Sequence, residues 1–205
     1  MALDPTLREQ LHAAVDKRNI IVGLSGGIAC YKVAEIVSGL AQAGAAVSVV
    51  MTEAATRFIT PLTLQALSGR PVYTNQWQHV ESQDPQHIGL AKRTDLMLIA
   101  PATMDLMAKL ATGRTDDMVC LITSAIDRRE TPVLLAPSMN TVMWQQPANQ
   151  RNLRTLGEDG FDFVGPDEGW QACRAVGPGR MAEPAAILKR AIELLQRRVP
   201  RADHA

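Results

Sequence analysis

Residues 19–51 read NIIVGLSGGIACYKVAEIVSGLAQAGAAVSVVM, and this stretch decides the fold. The apolar run 19–24 ends in the small residues 25–27, after which residues 28–43 have the apolar spacing of a helix. A second apolar run of strand length follows at residues 46–51. Strand, glycine turn, helix and strand form a βαβ unit, for which we expect a right-handed crossover and a parallel sheet.

The alternation of strands and helices continues through the rest of the chain. Three further apolar runs predict strands, at residues 96–100, 133–136 and 161–164. Helices are predicted near residues 62–67, 86–92, 103–112, 115–128, 147–158 and 185–198. This alternation predicts an α/β protein in which a single domain contains a doubly wound parallel sheet.

Three segments make up the predicted organisation of the chain. Residues 1–18 form an N-terminal extension, residues 19–199 the domain itself and residues 200–205 a tail. Within the domain, the stretch at about 165–181 is long, rich in glycine and without periodicity. In a compact domain these properties predict a lid or a binding loop.

The charge balance of the 205 residues argues against several classes of partner. Lys plus Arg and Asp plus Glu both total 21, so no broad basic field exists to hold a nucleic acid or an anionic membrane. No segment has the pattern of a signal peptide or a membrane span, so we expect a cytoplasmic protein that binds a small molecule. The three cysteines, Cys30, Cys120 and Cys173, lack CxxC spacing, which disfavours a disulfide framework and a zinc site. Cys30 and Cys120 have apolar neighbours that are typical of buried side chains.

Three predicted turns follow strand ends at one edge of the sheet. Residues 25–29 favour an anion such as a phosphate, because small residues let backbone N–H groups approach it at a helix N-terminus. A tight glycine turn without any ligand explains residues 25–29 equally well. Thr52 follows the second strand and residues 101–105 follow the third, and both also fit ordinary helix starts. Because the carboxyl ends of parallel strands meet at one edge, the three turns together predict a shared ligand crevice.

Two further tracts contain side chains that call for a chemical explanation. Asn140 lies in the tract PSMNTVMW at residues 137–144, directly after a predicted strand. Cys173 lies in the tract ACRAVGPGRM at residues 172–181, within the predicted loop. His87 has no partner at metal-ligand spacing, so it serves either in proton transfer and hydrogen bonding or as a structural residue.

These motifs give the chain a resemblance to a known family. From about Asn19 to Pro184 it resembles the flavin-dependent cysteine decarboxylases, which include the bacterial phosphopantothenoylcysteine decarboxylases of coenzyme A biosynthesis. The resemblance rests on residues 25–29, 51–53, 60–63, 87–88, 101–105, 137–144 and 172–181. It implies a Rossmann-like flavoprotein fold, FMN as cofactor, and decarboxylation of 4'-phosphopantothenoylcysteine to 4'-phosphopantetheine.

The resemblance also implies roles for individual residues. The FMN site maps onto Gly26, Gly27, Ile28, Thr52, Thr103, Met104 and Asp105. Catalysis maps onto His87 as a base or orienting group, Asn140 as the group that holds the substrate carboxylate, and Cys173 as a proton donor delivered by the loop. Substrate contacts map onto Asn140, Met143, Ala172, Arg174, Arg180 and Met181. Arg174 departs from the family pattern, because many relatives have glycine after the cysteine.

Other functions are compatible with the same motifs. They also suit a decarboxylase that acts on C-terminal cysteines of peptides, and some relatives are non-catalytic flavoproteins that regulate a partner enzyme. The resemblance further implies a homotrimer, or a dodecamer of four trimers, with site residues from more than one chain. Bifunctional relatives carry a synthetase domain as well, so we expect a separate phosphopantothenoylcysteine synthetase for this chain.

Overall fold

The computed structural model describes residues 4–78, 86–172 and 174–197. The helices are α1 (Pro5–Val15), α2 (Cys30–Gln42), α3 (Pro61–Ser68), α4 (Gln86–Arg93), α5 (Met104–Ala111), α6 (Met118–Ala125), α7 (Thr141–Gln145), α8 (Pro147–Glu158) and α9 (Pro184–Gln196), with a 3-10 helix at Glu53–Arg57. The strands are β1 (Asn19–Leu24), β2 (Ala46–Met51), β3 (Val72–Tyr73), β4 (Leu96–Ala102), β5 (Val133–Pro137), β6 (Asp162–Phe163), β7 (Asp167–Trp170) and β8 (Val176–Arg180). Among these described residues, no helix is both long enough and apolar enough to cross a membrane.

Strands β1 to β6 form one parallel sheet in the order β3-β2-β1-β4-β5-β6. In this order the chain winds outward from β1 to one edge and then from β4 to the other. The point where the direction reverses lies between β1 and β4, which is where open α/β sheets bind ligands. The predicted doubly wound sheet is therefore confirmed.

Helices cover both faces of the sheet because the central strands are apolar on both sides. In β1, Ile20 and Val22 belong to one core cluster and Ile21 to the other, and all three side chains are at most 1% exposed. Helices α1, α2, α3 and α9 pack on the first face, and α4, α5, α6 and α8 on the second. A nearly continuous apolar run is the pattern expected for a strand buried between two helical layers.

Helix α1 belongs to the first of these core clusters. Its Leu7, Leu11 and Val15 are at most 3% exposed and lie in the same cluster as Leu188 of α9. The division of the chain at residue 19 stays a prediction, but the helix before it contributes to the core. The predicted tail at residues 200–205 lies outside the described residues.

The glycine-rich stretch at 165–181 contains two strands that the sequence analysis did not anticipate. Strands β7 and β8 pair in an antiparallel hairpin, with Asp167 opposite Arg180 and Trp170 opposite Val176. The sequence hid β8 because its residues Gly177-Pro178-Gly179 are of types that rarely occur inside strands. The predicted binding loop is thus the body and tip of a hairpin.

Candidate active site

The carboxyl ends of β1, β2, β4 and β5 surround one large cavity of about 1260 Å³. Its lining includes the turns that follow these strands, at residues 25–29, 52–54, 103–105 and 138–140. The β7–β8 hairpin forms a further wall of the cavity through residues 170–172 and 179–181. The shared crevice predicted from the turns is therefore confirmed.

Ser25 fixes the geometry of the cavity floor at the point where the sheet reverses direction. It is 2% exposed, and its hydroxyl donates to the carbonyl of Pro101 at 2.6 Å. The same oxygen accepts from the backbone N–H of Thr103 at 3.0 Å. One side chain thereby joins the turn after β1 to the turn after β4.

The glycine turn brings the ends of β1 and β2 into contact. A Cβ atom on Gly26 would lie 2.5 Å from the Cβ of Ala54, so a residue with a side chain requires the two turns to separate. Ala29, the N-cap of the 13-residue helix α2, provides no side-chain hydrogen bond to the helix N-terminus. The backbone of the glycine turn and the positive end of the α2 dipole therefore suit a phosphate.

Asn140 lines the cavity and is also the N-cap of α7. Its Oδ1 accepts from the backbone N–H of Val142 at 2.8 Å and from that of Met143 at 3.4 Å. Because Oδ1 is bonded to the start of α7, the amide orientation is fixed, and Nδ2 is its donor end. This arrangement suits recognition of a carboxylate.

Four basic side chains line the cavity, and three of them are paired with carboxylates within the described residues. Lys32 and Arg180 share Glu183, at 2.9 and 3.1 Å. Lys109 contacts three carboxylates, Asp117 at 3.2 Å, Asp116 at 3.4 Å and Asp105 at 3.6 Å. The fourth basic residue, Arg57, has no ion pair with a described residue and is exposed. The cavity therefore has charged groups of both signs. The group of Lys32, Arg180 and Glu183 is net positive, and the group around Lys109 is net negative.

The Lys109 cluster changes the titration of its central ammonium. Burial alone lowers the pKa of Lys109, but the hydrogen bond to Asp117 and the nearby carboxylate charges raise it above its ordinary value. Lys109 thus stays charged throughout the neutral range. Sequence reasoning missed this cluster, and only the spacing of four residues between Asp105 and Lys109 on one helix face indicated it.

The two described cysteines are buried, as their apolar surroundings predict. Cys30 and Cys120 are free thiols with no exposed surface. Burial raises the pKa of the Cys30 thiol, and burial followed by the charge of Asp117 raises that of Cys120. Both are therefore protonated and unreactive structural residues. Among the described residues, no cluster of three or more His, Cys, Asp and Glu side chains is arranged to hold a metal ion.

Most of the residues predicted for the site line this cavity. All the predicted cofactor residues do so: Gly26, Gly27, Ile28, Thr52, Thr103, Met104 and Asp105. Of the predicted substrate residues, the cavity brings together Asn140, Met143, Ala172, Arg180 and Met181. Their individual roles stay predictions. The lining also includes Tyr31, Lys32, Arg57, Lys109, Asp116, Asp117 and Trp170, which the sequence analysis did not select.

Two predicted residues that the structure describes are not part of the cavity lining. Arg174 is exposed at the hairpin tip, where its φ of 66° lies in the left-handed region. His87 lies on α4 and does not line the cavity of its own chain. Cys173 lies outside the described residues. The cavity of a single chain therefore contains Asn140, the residue predicted to hold the substrate carboxylate, but not His87, the predicted base.

A family model described as Flavoprotein matches residues 8–196 of this chain. The chain belongs to the Flavoprotein family. This flavoprotein is 45% identical over 175 residues to the coenzyme A biosynthesis bifunctional protein CoaBC of Bacillus subtilis (strain 168). The match covers 85% of this chain and 42% of CoaBC, so the chain spans about two fifths of the length of that relative.

Solved structures with the same fold include two decarboxylases. A cysteine-to-serine mutant of PPC decarboxylase, complexed with pantothenoylaminoethenethiol, has a TM-score of 0.78 and 28% identity, covering 88% of this flavoprotein and 99% of that chain. The FMN-dependent cysteine decarboxylase SpaF has a TM-score of 0.75 and 26% identity, covering 90% of this flavoprotein and 98% of that chain. These findings confirm the resemblance to the flavin-dependent cysteine decarboxylases.

Proposed function

We propose that this flavoprotein is an FMN-dependent phosphopantothenoylcysteine decarboxylase, a carboxy-lyase of coenzyme A biosynthesis. The observation that carries the proposal is that the glycine turn after β1 and the Asn140 turn after β5 line one cavity. The identity of 45% to CoaBC and the TM-score of 0.78 to PPC decarboxylase support the same reaction. Its product is 4'-phosphopantetheine.

The cavity fits FMN as the cofactor. Its volume of about 1260 Å³ exceeds the usual size of a small-molecule site, so it has room for a flavin and a substrate together. The phosphate would be held at the N-terminus of α2 by the glycine turn, where Gly26 packs closely against Ala54. Thr52, Thr103, Met104 and Asp105 would line the remainder of the FMN site. When bound, FMN supplies a two-electron acceptor, which makes the loss of carbon dioxide from a thiol substrate feasible.

Asn140 is proposed to hold the substrate carboxylate. Its Nδ2 donates to the carboxylate, while its Oδ1 remains bound to the N-terminus of α7. A neutral donor suits this role because a cation would stabilise the ground-state carboxylate and raise the barrier to its loss. We assign His87 as the base or orienting group and Cys173 as the proton donor of the reductive half-reaction.

The hairpin wall provides the remaining substrate contacts in this proposal. Arg180 on the hairpin and Lys32 on α2 share the single carboxylate of Glu183, so this group has a net positive charge that favours an anionic substrate. Met143, Ala172 and Met181 provide further contact surface. Arg174 would approach the substrate only when the hairpin tip folds over the cavity.

The test is to purify the chain gently and identify any yellow bound ligand by its mass and absorption spectrum. The FMN-loaded protein is then incubated with 4'-phosphopantothenoylcysteine, and carbon dioxide and 4'-phosphopantetheine are measured. Release of both supports the proposal. FMN-loaded protein that leaves the substrate unchanged refutes it.

The likeness to SpaF favours a second candidate substrate class. A peptide that ends in cysteine presents the same thiol and carboxylate as 4'-phosphopantothenoylcysteine, so the residues for the chemistry do not separate the two. Competition between them in one reaction does. Preference for the peptide would move this chain to the peptidyl-cysteine decarboxylases.

Assembly, location and partner are part of the proposal as well. We propose a homotrimer or a dodecamer of four trimers, which the exposed apolar side chains of Ile28, Tyr31 and Leu62, at 61%, 64% and 72%, support. We propose a cytoplasmic location, in line with the free thiols of Cys30 and Cys120. A phosphopantothenoylcysteine synthetase would supply the substrate. Native mass measurement, cell fractionation and co-purification test these three points.

A further inference from the structure

The side chain of Gln171 joins the β7–β8 hairpin to the start of α7. It is 8% exposed, and its Nε2 donates to the hydroxyl of Thr141 at 2.9 Å and to the carbonyls of Pro178 and Gly177 at 3.1 and 3.4 Å. Its Oε1 accepts from the backbone N–H of Thr141 at 3.2 Å. A single carboxamide thus bonds both strand β8 and the first residue of α7.

The backbone of β8 lies close enough to α7 for this bridge because two of its residues are glycine. The N–H of Met139 donates to the carbonyl of Gly179 at 2.9 Å. A Cβ atom on Gly177 would lie 2.7 Å from Oγ1 of Thr141, and one on Gly179 would overlap the carbonyl oxygen of Met139. The Gly-Pro-Gly run is the reason that this strand was not predicted from the sequence. The same run allows the hairpin to pack against Met139 and Thr141.

Two carboxamides divide the N-terminal N–H groups of α7 between them. Asn140 takes those of Val142 and Met143, and Gln171 takes that of Thr141. The orientation of the Asn140 turn therefore depends on a residue of the hairpin. A helix loses stability when one of its N-terminal N–H groups loses its hydrogen-bond partner. Loss of Gln171 would therefore loosen the turn that presents Asn140 to the cavity.

Gln171 also closes the hairpin tip through its main chain. Its N–H donates to the carbonyl of Ala175 at 2.9 Å, and its carbonyl accepts from the N–H of Arg174 at 2.9 Å. Ala172, the next residue, lines the cavity. We propose that Gln171 is a positioning residue that sets the hairpin tip relative to the Asn140 turn. The catalytic consequence of this inference rests on the proposed function.

The experiment uses the full-length, FMN-loaded protein with Gln171→Met, which preserves the side-chain length and removes every side-chain hydrogen bond. We expect kcat per bound FMN to fall roughly tenfold or more, from the loss of several buried hydrogen bonds, with FMN affinity unchanged. We also expect trypsin to cleave after the exposed Arg174 roughly tenfold faster, as measured by mass spectrometry. The matched control is Gln42→Met, which removes an exposed carboxamide contact to Ser38 on α2 and should match the wild type.

Gln171→Glu separates positioning from a general loss of structure. The ionised carboxylate cannot donate to the carbonyls of Gly177 and Pro178, but the protonated acid regains a donor. We expect its kcat relative to wild type to recover as the pH falls from about 8 to about 5, whereas that of Gln171→Met does not. A merely structural defect would give the two variants parallel pH profiles, which would overturn the inference.

Thr141→Val keeps the test decisive if Gln171→Met does not fold. It removes one hydroxyl of the bridge, so we expect a smaller loss of kcat and a smaller rise in cleavage after Arg174. Wild-type values for both quantities would overturn the inference. If the wild-type protein leaves the substrate unchanged, the proposed function fails, and the cleavage rates alone decide whether Gln171 holds the hairpin.

Discussion

At Asn140 the structural role can be tested apart from the proposed chemical role, because the first uses Oδ1 and the second uses Nδ2. The Oδ1 caps α7, and aspartate is as good a cap as asparagine. Asn140→Asp should therefore keep the free energy of unfolding within about 0.5 kcal/mol of wild type while lowering kcat/KM by roughly a hundredfold, since a carboxylate repels the substrate carboxylate. Urea unfolding and steady-state kinetics of the FMN-loaded protein measure the two effects.

Asn140→Ala is the control, because it removes the cap and the donor together. It should lose activity to the same extent and also cost about 1 kcal/mol of stability. Activity near wild type in the aspartate variant would mean that Asn140 is only a helix cap.

Gly26 is the residue at which the cavity depends most directly on the absence of a side chain. In Gly26→Ala the new methyl would lie 2.5 Å from the Cβ of Ala54, so the turns after β1 and β2 must move apart. We expect FMN affinity to fall between roughly tenfold and a hundredfold, as measured by fluorescence titration with added FMN. Gly157→Ala on α8, where the methyl meets no atom within 4 Å, should leave affinity unchanged and stabilise the protein by about 0.5 kcal/mol. Equal affinities for all three proteins would exclude a phosphate site at this turn.

Residues at strand ends could be found from sequence because their position is fixed by a local pattern. Asn140 follows an apolar run directly, and Gly26 stands between an apolar run and a helical one. Lys32 could not be found in this way, since its partner Glu183 is 151 positions further along the chain. Contacts of that range are set by packing rather than by local spacing.

At the scale of elements, Lys109 links α5 to the N-terminus of α6, where Asp117 is the N-cap. Its pKa is raised in the folded state, so its contribution to stability is fully present below the unfolded pKa and is lost as the pH rises through the folded value. Lys109→Met should lower the free energy of unfolding by about 1 kcal/mol at neutral pH, and the difference from wild type should shrink above about pH 10. Urea titrations across this range measure it.

Lys189→Met is the matched control, because Lys189 is an exposed lysine on α9. It should leave stability unchanged within about 0.5 kcal/mol at every pH. A stability difference between Lys109→Met and wild type that does not vary with pH would assign the effect to packing instead of charge.

The hairpin shows why a strand that packs through its backbone is not predicted from the sequence. Apolar periodicity predicts strands that bury side chains, but β8 contacts Met139–Thr141 through its backbone, and its glycines leave the space that this contact needs. Gly177 and Gly179 therefore read as a loop in the sequence. The role of these two glycines can be inferred only once the segment against which they pack, Met139–Thr141, is known.

At the scale of the whole molecule, the core extends into the segment predicted as an N-terminal extension. Leu11 has no exposed surface and lies in the same cluster as Leu188 of α9. Leu11→Ala should lower the free energy of unfolding by about 2–5 kcal/mol, as for a core leucine. Glu9→Ala, an exposed change on the same helix, should stay within about 0.5 kcal/mol of wild type in the same urea titration. Similar free energies of unfolding for both variants would mean that α1 does not contribute to the core.

The assembled molecule must account for His87, which does not line the cavity of its own chain. If a neighbouring subunit supplies it, His87→Asn and Asn140→Asp are each inactive, yet a mixed oligomer contains sites with His87 from one chain and Asn140 from another. Co-expression in equal amounts should restore about a quarter of wild-type activity, because half of the chains carry each intact residue. Native mass spectrometry verifies the mixing, and each variant alone is the control. Verified hybrids without activity would place both residues in the site of one chain, or remove His87 from catalysis.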